Sequence, residues 1–163
     1  MSIRPLPEPV ERVARFIREN GAEARIEEFT TPTPTAQDAA GAIGCALDQI
    51  VKSLLFDCGD LYVLALVPGD RRADLGKVAK AASVARARVA KGGEVLHVTG
   101  FPPGAVAPFP LKRVERVIGD RLLLTHAQVW IGAGSTRHMA GIAPAELFRL
   151  ARAISADLSQ DIT

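Results

Sequence analysis

The segment TAQDAAGAIGCALDQIVKSLLF, residues 35–56, constrains the fold of this chain more than any other stretch. Its first half, residues 36–46, is alanine-rich and helical in pattern. Thr35 is placed to cap that helix, and Asp38 lies in its first turn, where a carboxylate suits the positive end of the helix dipole. The second half, residues 49–56, reads as an apolar strand with Lys52 at its middle. A lysine inside an apolar strand either points outward or is held by a partner, because an unpaired buried ammonium is costly. Helix and strand are thus mixed within one short stretch.

The rest of the chain keeps that mixture. Val10, Val13, Ala14, Phe16 and Ile17 recur at helical spacing, and Gly21 after Asn20 is a natural stop. Residues 24–29 read as a strand and the threonine- and proline-rich residues 30–35 as a loop. Two runs, 49–56 and 61–67, flank a turn containing Cys58, Gly59 and Asp60 and form an antiparallel pair. A helix is expected over 70–82 with Leu75 and Val78 inward, then a strand over 84–89 carrying Arg86 and Arg88 on one face. A turn at Gly92 and Gly93 leads to a short helical stretch over 94–98. Further on come a strand over 113–118, a helical turn over 121–125, and a hairpin of 128–133 with 137–142. A last helix covers 145–154, preceded by Pro144, and residues 158–163 form a frayed tail. Several connections are too short for parallel crossovers, so the class is α+β with a mixed or largely antiparallel sheet flanked by helices. No repeat or long linker divides the chain, and a single domain over residues 1–163 is expected.

Composition narrows the function. With 48% apolar residues in 163, the chain can bury a real core. No apolar run approaches the roughly 18 residues that cross a bilayer. The first nine residues hold prolines and an acid where a signal peptide needs its apolar region, so a cytoplasmic protein is expected. Cys45 and Cys58 have no metal-ligand spacing and read as small core residues. His97, His126 and His138 are scattered, so neither metal nor cofactor is expected. Net charge is only +2, but Arg71, Arg72, Lys77, Lys80, Arg86, Arg88 and Lys91 face the single acid Asp74 between residues 71 and 91. Such a run either attracts phosphates or is the solvated face of a helix. The few aromatics argue against reading of single strands by base stacking.

Three further segments carry chemistry: TGFPPGAVAPF at 99–109, DRLL at 120–123, and WIGAGSTRH at 130–138. In the first, Gly100 and Gly104 bracket Phe101, Pro102 and Pro103, which permits close backbone approach and offers a bare amide at Gly104. By pattern it is equally a turn. Gly134 and Ser135 sit where two strands reverse, which is a hairpin turn by itself. Neither a Ser-His-Asp signature nor a G-x-S-x-G elbow is present.

Taken together with Lys52, these segments resemble the YbaK/ProX family, the free-standing relatives of the editing domain inserted in bacterial prolyl-tRNA synthetases. The resemblance covers residues 8–155 and implies a barrel-like arrangement of the sheet. It implies a trans-editing hydrolase that cleaves the ester of mischarged aminoacyl-tRNA, of the prolyl-tRNA type. Lys52 matches the family's near-invariant lysine, and Gly100 and Gly104 match a loop whose amides line the active site, with Val106 and Pro108 at agreeing positions. The implied catalytic set is therefore Lys52, Gly100 and Gly104. Lys52 would position the substrate, Gly104 would stabilise the oxyanion, and a hydroxyl of the substrate's own terminal ribose would assist the water. Phe29, Ser53, Phe101, Pro103, Asp120, Gly134, Ser135 and His138 are the implied substrate-binding residues. Phe29 is equally ordinary core, Asp120 equally a cap for the turn that follows it, and His138 equally a structural residue. Arg71, Arg72, Lys77 and Lys80 are the expected tRNA-binding set. Mischarged tRNA is the implied partner, with an aminoacyl-tRNA synthetase as a second one, and no membrane. Two other readings compete: a catalytically silent tRNA- or synthetase-binding module, and a small protein that binds a phosphate ligand.

Overall fold

A computed structural model describes residues 5–161. Residues 1–4 and 162–163 lie outside the described residues, and with them part of the leader reading and the last two residues of the expected tail. The first helix, α1 (Glu8–Glu19), buries Val10, Val13, Ala14 and Ile17 on one stripe. Gly21, at φ +71°, turns the chain away from it. Strand β1 (Arg25–Glu28) follows, then the 30–35 loop and α2 (Ala36–Ile43). The Thr35 hydroxyl accepts from the Asp38 amide at 3.1 Å, the cap expected from the sequence. Gly44, in the left-handed region at φ +82°, stops α2 three residues before the expected end.

Strand β2 (Val51–Asp57) pairs antiparallel with β3 (Tyr62–Pro68) in the register Lys52 to Val67 and Phe56 to Val63. After α3 (Leu75–Ala82) come β4 (Arg88–Val89), α4 (Gly92–Thr99), β5 (Arg116–Asp120), a 3-10 turn (Arg121–Thr125), β6 (Val129–Gly132), β7 (His138–Ile142), α5 (Pro144–Ala151) and β8 (Ile154–Ala156). One sheet has the order β1-β7-β6 and is antiparallel throughout. The other has the order β4-β2-β3-β5-β8, with β3, β5 and β8 mutually parallel and the rest antiparallel. The class is the α+β one expected, but the two sheets do not close into a barrel. The second sheet ends on β4 and β8, and among the described residues only a single β-bridge, Ile50 to Trp130, joins it to the first.

Strand β3 explains why the core has two sides. Leu64 and Leu66 point into a cluster with Val13, Ile17, Phe101, Phe109, Ile131 and Leu147. Val63, Ala65 and Val67 point the other way, onto Val78, Ala82 and Leu158. Alternation buries both faces, which is why the strand reads as a continuous apolar run.

Several expectations give way. Leu75 is 49% exposed, because Asp74 caps α3 one residue earlier and leaves Leu75 on the outer side of the first turn. The strand expected over 84–89 shrinks to β4, and Gly92 and Gly93 belong to α4 instead of a turn before it. The last helix ends at Ala151, with Arg152 in the left-handed region, so that Ile154 starts a strand. The tail is not frayed at its start: Leu158 and Ser159 are buried, and the Asp120 carboxylate accepts from the Leu158 amide at 3.2 Å and the Ser159 hydroxyl at 2.5 Å.

Candidate active site

A cavity of about 520 Å³ opens between the two sheets and the start of α2. Strand β2 contributes Val51 to Leu54, the 30–35 loop and first turn of α2 contribute Thr33 to Gln37, and Gly69, Gly104, Val106, Gly132 and Met139 are also part of the wall. Three sequence-predicted residues meet here: Lys52, Ser53 and Gly104.

Lys52 is half-buried, and its ammonium donates to the Arg71 carbonyl oxygen. Burial pushes its pKa below the ordinary lysine value; Asp70 opposes that push and Arg72 adds to it. An ammonium has three donors, so the bond to Arg71 leaves two for a ligand. On the next residue, the Ser53 hydroxyl oxygen is buried with no hydrogen-bond partner among the described residues. Such an orphan costs about 1–3 kcal/mol until something pairs with it. Gly104 sits at φ +80°, in the left-handed region, and a Cβ there would meet Pro34 O and Thr136 Cγ2 at 3.8 Å, an ordinary van der Waals contact without a clash. No acceptor among the described residues takes its amide. The cavity wall therefore offers a cation at Lys52 and, at Gly104, an amide without an acceptor, donors suited to a ligand rich in oxygen, whereas the buried Ser53 hydroxyl lies on the other face of β2 from Lys52.

The remaining predicted residues lie elsewhere. Gly100, at φ +89°, ends α4, and its amide is spent on the Leu96 carbonyl at 2.9 Å. Phe101 is fully buried in the core, and Pro103 is exposed on the loop outside the cavity wall. Asp120 is fully buried, and besides holding the tail it accepts from the Leu122 amide at 2.9 Å, capping the 3-10 turn. Phe29 packs on Ala39, Ile50, Trp130 and Met139, behind the wall and not in it. Gly134, Ser135 and His138 form a structural knot of their own. A Cβ on Gly134 would stand 2.8 Å from the backbone of Pro9, and its amide donates to the Ala105 carbonyl at 3.1 Å. The Ser135 hydroxyl lies 2.6 Å from His138 Nδ1 and accepts from the Arg137 amide at 3.0 Å. His138 is 3% exposed, with Nε2 3.9 Å from Glu28 Oε1. Burial lowers its pKa against the opposing pull of Glu28, which favours a neutral ring.

The basic run is also divided. Lys77 is consumed by Asp157 at 3.0 Å, Asp161 at 2.8 Å and the Ser159 carbonyl at 2.7 Å. Arg72 and Lys80 are exposed, while Arg71 is half-buried beside Asp48 and His126.

Sequence reasoning passed over Thr33, Gln37, Gly69, Gly132 and Met139 as cavity residues. Two of them carried a readable signal. Isolated glycines in or beside strands mark close backbone approach. A Cβ on Gly69 would stand 2.4 Å from the Leu47 carbonyl oxygen, and one on Gly132 would stand 2.5 Å from the Val106 carbonyl oxygen.

Comparison with known proteins places this geometry in context. The sequence profile of the Aminoacyl-tRNA editing domain matches residues 30–150. A Proline--tRNA ligase of Xanthomonas oryzae pv. oryzae is 34% identical over 123 residues, which cover 74% of this chain and 22% of that enzyme. The match thus spans about a fifth of the ligase. The uncharacterized protein YwhH of Bacillus subtilis is 34% identical over 126 residues, 77% of this chain and 80% of that one. Among solved structures, a candidate trans-editing enzyme for prolyl tRNA synthetase superposes with a TM-score of 0.89 at 34% identity, covering 96% of this chain and all of the other.

Proposed function

Since the chain belongs to the aminoacyl-tRNA editing domain family, we propose that it hydrolyses mischarged tRNA in trans, with the cavity at Lys52 and Gly104 as its active site. The substrate class is tRNA of the prolyl type carrying a non-cognate amino acid, and residues 8–155 form the editing unit. A synthetase pocket cannot strongly reject a slightly smaller amino acid, and a second hydrolytic site corrects the error.

In this reading the terminal adenosine and its acyl group enter between β2 and the 100–104 loop. Lys52 uses its free donors to hold a phosphate or carbonyl oxygen of the terminal nucleotide as a point charge. Water adds to the ester carbonyl carbon, assisted by the ribose hydroxyl adjacent to the ester. The negative charge on the carbonyl oxygen rests on the Gly104 amide. The carbon–oxygen bond to the ribose then breaks, the ribose oxygen takes up a proton, and the amino acid leaves as its carboxylate. The chain supplies orientation and electrostatics, with no side-chain nucleophile.

One observation carries the reading: a lysine with donors to spare and a glycine whose amide has no acceptor among the described residues line one cavity from two distant parts of the chain. Gly100 enters as the residue that shapes the loop, not as a donor to substrate. Arg72 and Lys80 approach the tRNA backbone, and Lys77 holds the C-terminal segment instead.

The test is a deacylation panel: tRNAPro carrying amino acids no larger than proline, with correctly charged Pro-tRNAPro as control. Faster release from at least one mischarged member than from the control is expected. Spontaneous rates across the whole panel, from folded protein, would reject it.

A further inference from the structure

Three observations tie the first helix to the rim of the cavity. Arg12 of α1 donates through Nη2 to the Gly100 carbonyl oxygen at 3.0 Å. Its guanidinium carbon lies 4.9 Å from the centre of the Phe101 ring, a cation–π contact with a ring that is itself fully buried. Glu8 Oε1 lies 2.8 Å from Arg12 Nε, off the N–H axis, so that this contact is an ion pair and not a hydrogen bond. The side chain is thereby held on both sides, and it grips the first two residues of the loop whose last residue, Gly104, lines the cavity with an amide that has no acceptor among the described residues. The fit is close: a Cβ on Gly100 would stand 3.3 Å from Arg12 Nη1.

The same stretch of chain supports the second loop. Pro9 lies so near Gly134 that no side chain fits there, and the Gly134 amide donates to the Ala105 carbonyl, one residue beyond Gly104. The first turns of α1 thus brace both sides of Gly104: Arg12 from the Gly100 side, Pro9 through Gly134 from the Ala105 side. All of α1 precedes the segment that matches the editing domain profile.

We propose that Arg12 is a positioning residue for the deacylation reaction. It fixes the 100–104 loop so that the Gly104 amide stands ready for the oxyanion, without itself touching substrate. The proposal rests on the reading of the cavity as a deacylase site. Its physical basis is that a donor aimed at a developing charge accelerates reaction only if it is already oriented, and that a misplacement of about 1 Å is enough to cost on the order of a hundredfold.

The experiment has two arms. Arg12→Ala, Arg12→Lys and the wild type are compared by hydrogen exchange of peptides covering residues 99–106 and 51–57, and by kcat and KM on a mischarged tRNA that the wild type deacylates. Arg12→Ala should exchange at least tenfold faster in the 99–106 peptide and unchanged in the 51–57 peptide. Its kcat should fall tenfold or more, with KM within about threefold of wild type. Arg12→Lys keeps a cation over Phe101 and a donor for Gly100, and should recover part of both. If the alanine variant does not fold, Arg12→Met, which keeps the aliphatic stem, takes its place. Unchanged exchange in the 99–106 peptide of a folded variant overturns the proposal, as does faster exchange with unchanged kcat. If the wild type deacylates nothing, the functional reading fails and the catalytic role of Arg12 fails with it. The exchange arm then reports separately whether the clamp exists.

Discussion

At the scale of single residues, Lys52 works against the fold it sits in. Burial disfavours its charged form, so its pKa is lower folded than unfolded, and between those two values the unfolded chain binds more protons. The charged lysine therefore costs stability below the folded pKa, and that cost is relieved as pH rises through it. Lys52→Met removes the charge and keeps the stem. The variant should melt at or above the wild-type temperature while deacylation slows roughly ten- to a hundredfold, the worth of a charge-assisted contact of about 1.5–3 kcal/mol. A large drop in Tm would make Lys52 a structural residue. His138 works in the opposite pH range. Its folded pKa lies below the ordinary value of 6.5, so an unfolded histidine takes up a proton while the folded one resists. Stability should fall as pH drops below about 6.5, and His138→Gln should flatten that fall in thermal melts recorded from pH 7.5 to 5. Gly104 carries a conformational demand as well as a donor. At φ +80° an alanine is strained by about 1–2 kcal/mol although its Cβ meets no clash, and proline, locked near −65°, must flip the loop. Proline is thus a poor probe of the amide alone. Gly104→Asn, which tolerates positive φ and keeps the N–H, should retain more activity than Gly104→Ala, and equal losses in the two would remove the conformational account.

At the scale of elements, Lys77 of α3 is spent on the fold, whereas Lys80 of α3 and Arg72 just before it are left for the proposed tRNA contact. Lys77 reaches across to Asp157 and Asp161 and so fastens the segment after β8, which Asp120 holds from the other side. Lys80 and Arg72 have their charges in solvent. Lys77→Gln should lower Tm and leave the salt dependence of tRNA binding intact. Arg72→Gln with Lys80→Gln should leave Tm in place and reduce the slope of log affinity against log salt by about 1 for each phosphate no longer neutralised. A slope that shifts with Lys77 and not with Arg72 and Lys80 would reverse this division. Residues 71–91 hold seven cations against one acid, but the acids that neutralise Lys77 lie some eighty residues further on, beyond the reach of any local count.

At the scale of the whole molecule, what was legible follows from what is local. The α2 cap at Thr35, the antiparallel β2–β3 pair and the β6–β7 hairpin are each written within a few residues, and each is where periodicity and turn chemistry put it. Strand β8 escapes a sequence reading because three exposed or half-exposed residues after a helix carry no alternation, and only pairing with β5 makes them a strand. The site divides in the same way. Lys52 and Gly104 stand in motifs the chain displays openly, whereas the glycines at 69 and 132 matter through atoms from remote segments. Phe101 and Asp120 sit in the same motifs as the site and serve the core and the tail instead, which residue type and spacing do not distinguish. Under the proposed function, the whole fold serves to bring Lys52 and the 100–104 loop to one cavity and to cleave an aminoacyl ester there. The most direct test is single-turnover deacylation of a mischarged tRNAPro by the wild-type protein and by Lys52→Met side by side. Rapid release of the amino acid by the wild type, slowed at least tenfold in a variant with an unchanged melting curve, is the predicted result. Equal rates from the two folded proteins, or none above the spontaneous rate from either, would contradict it.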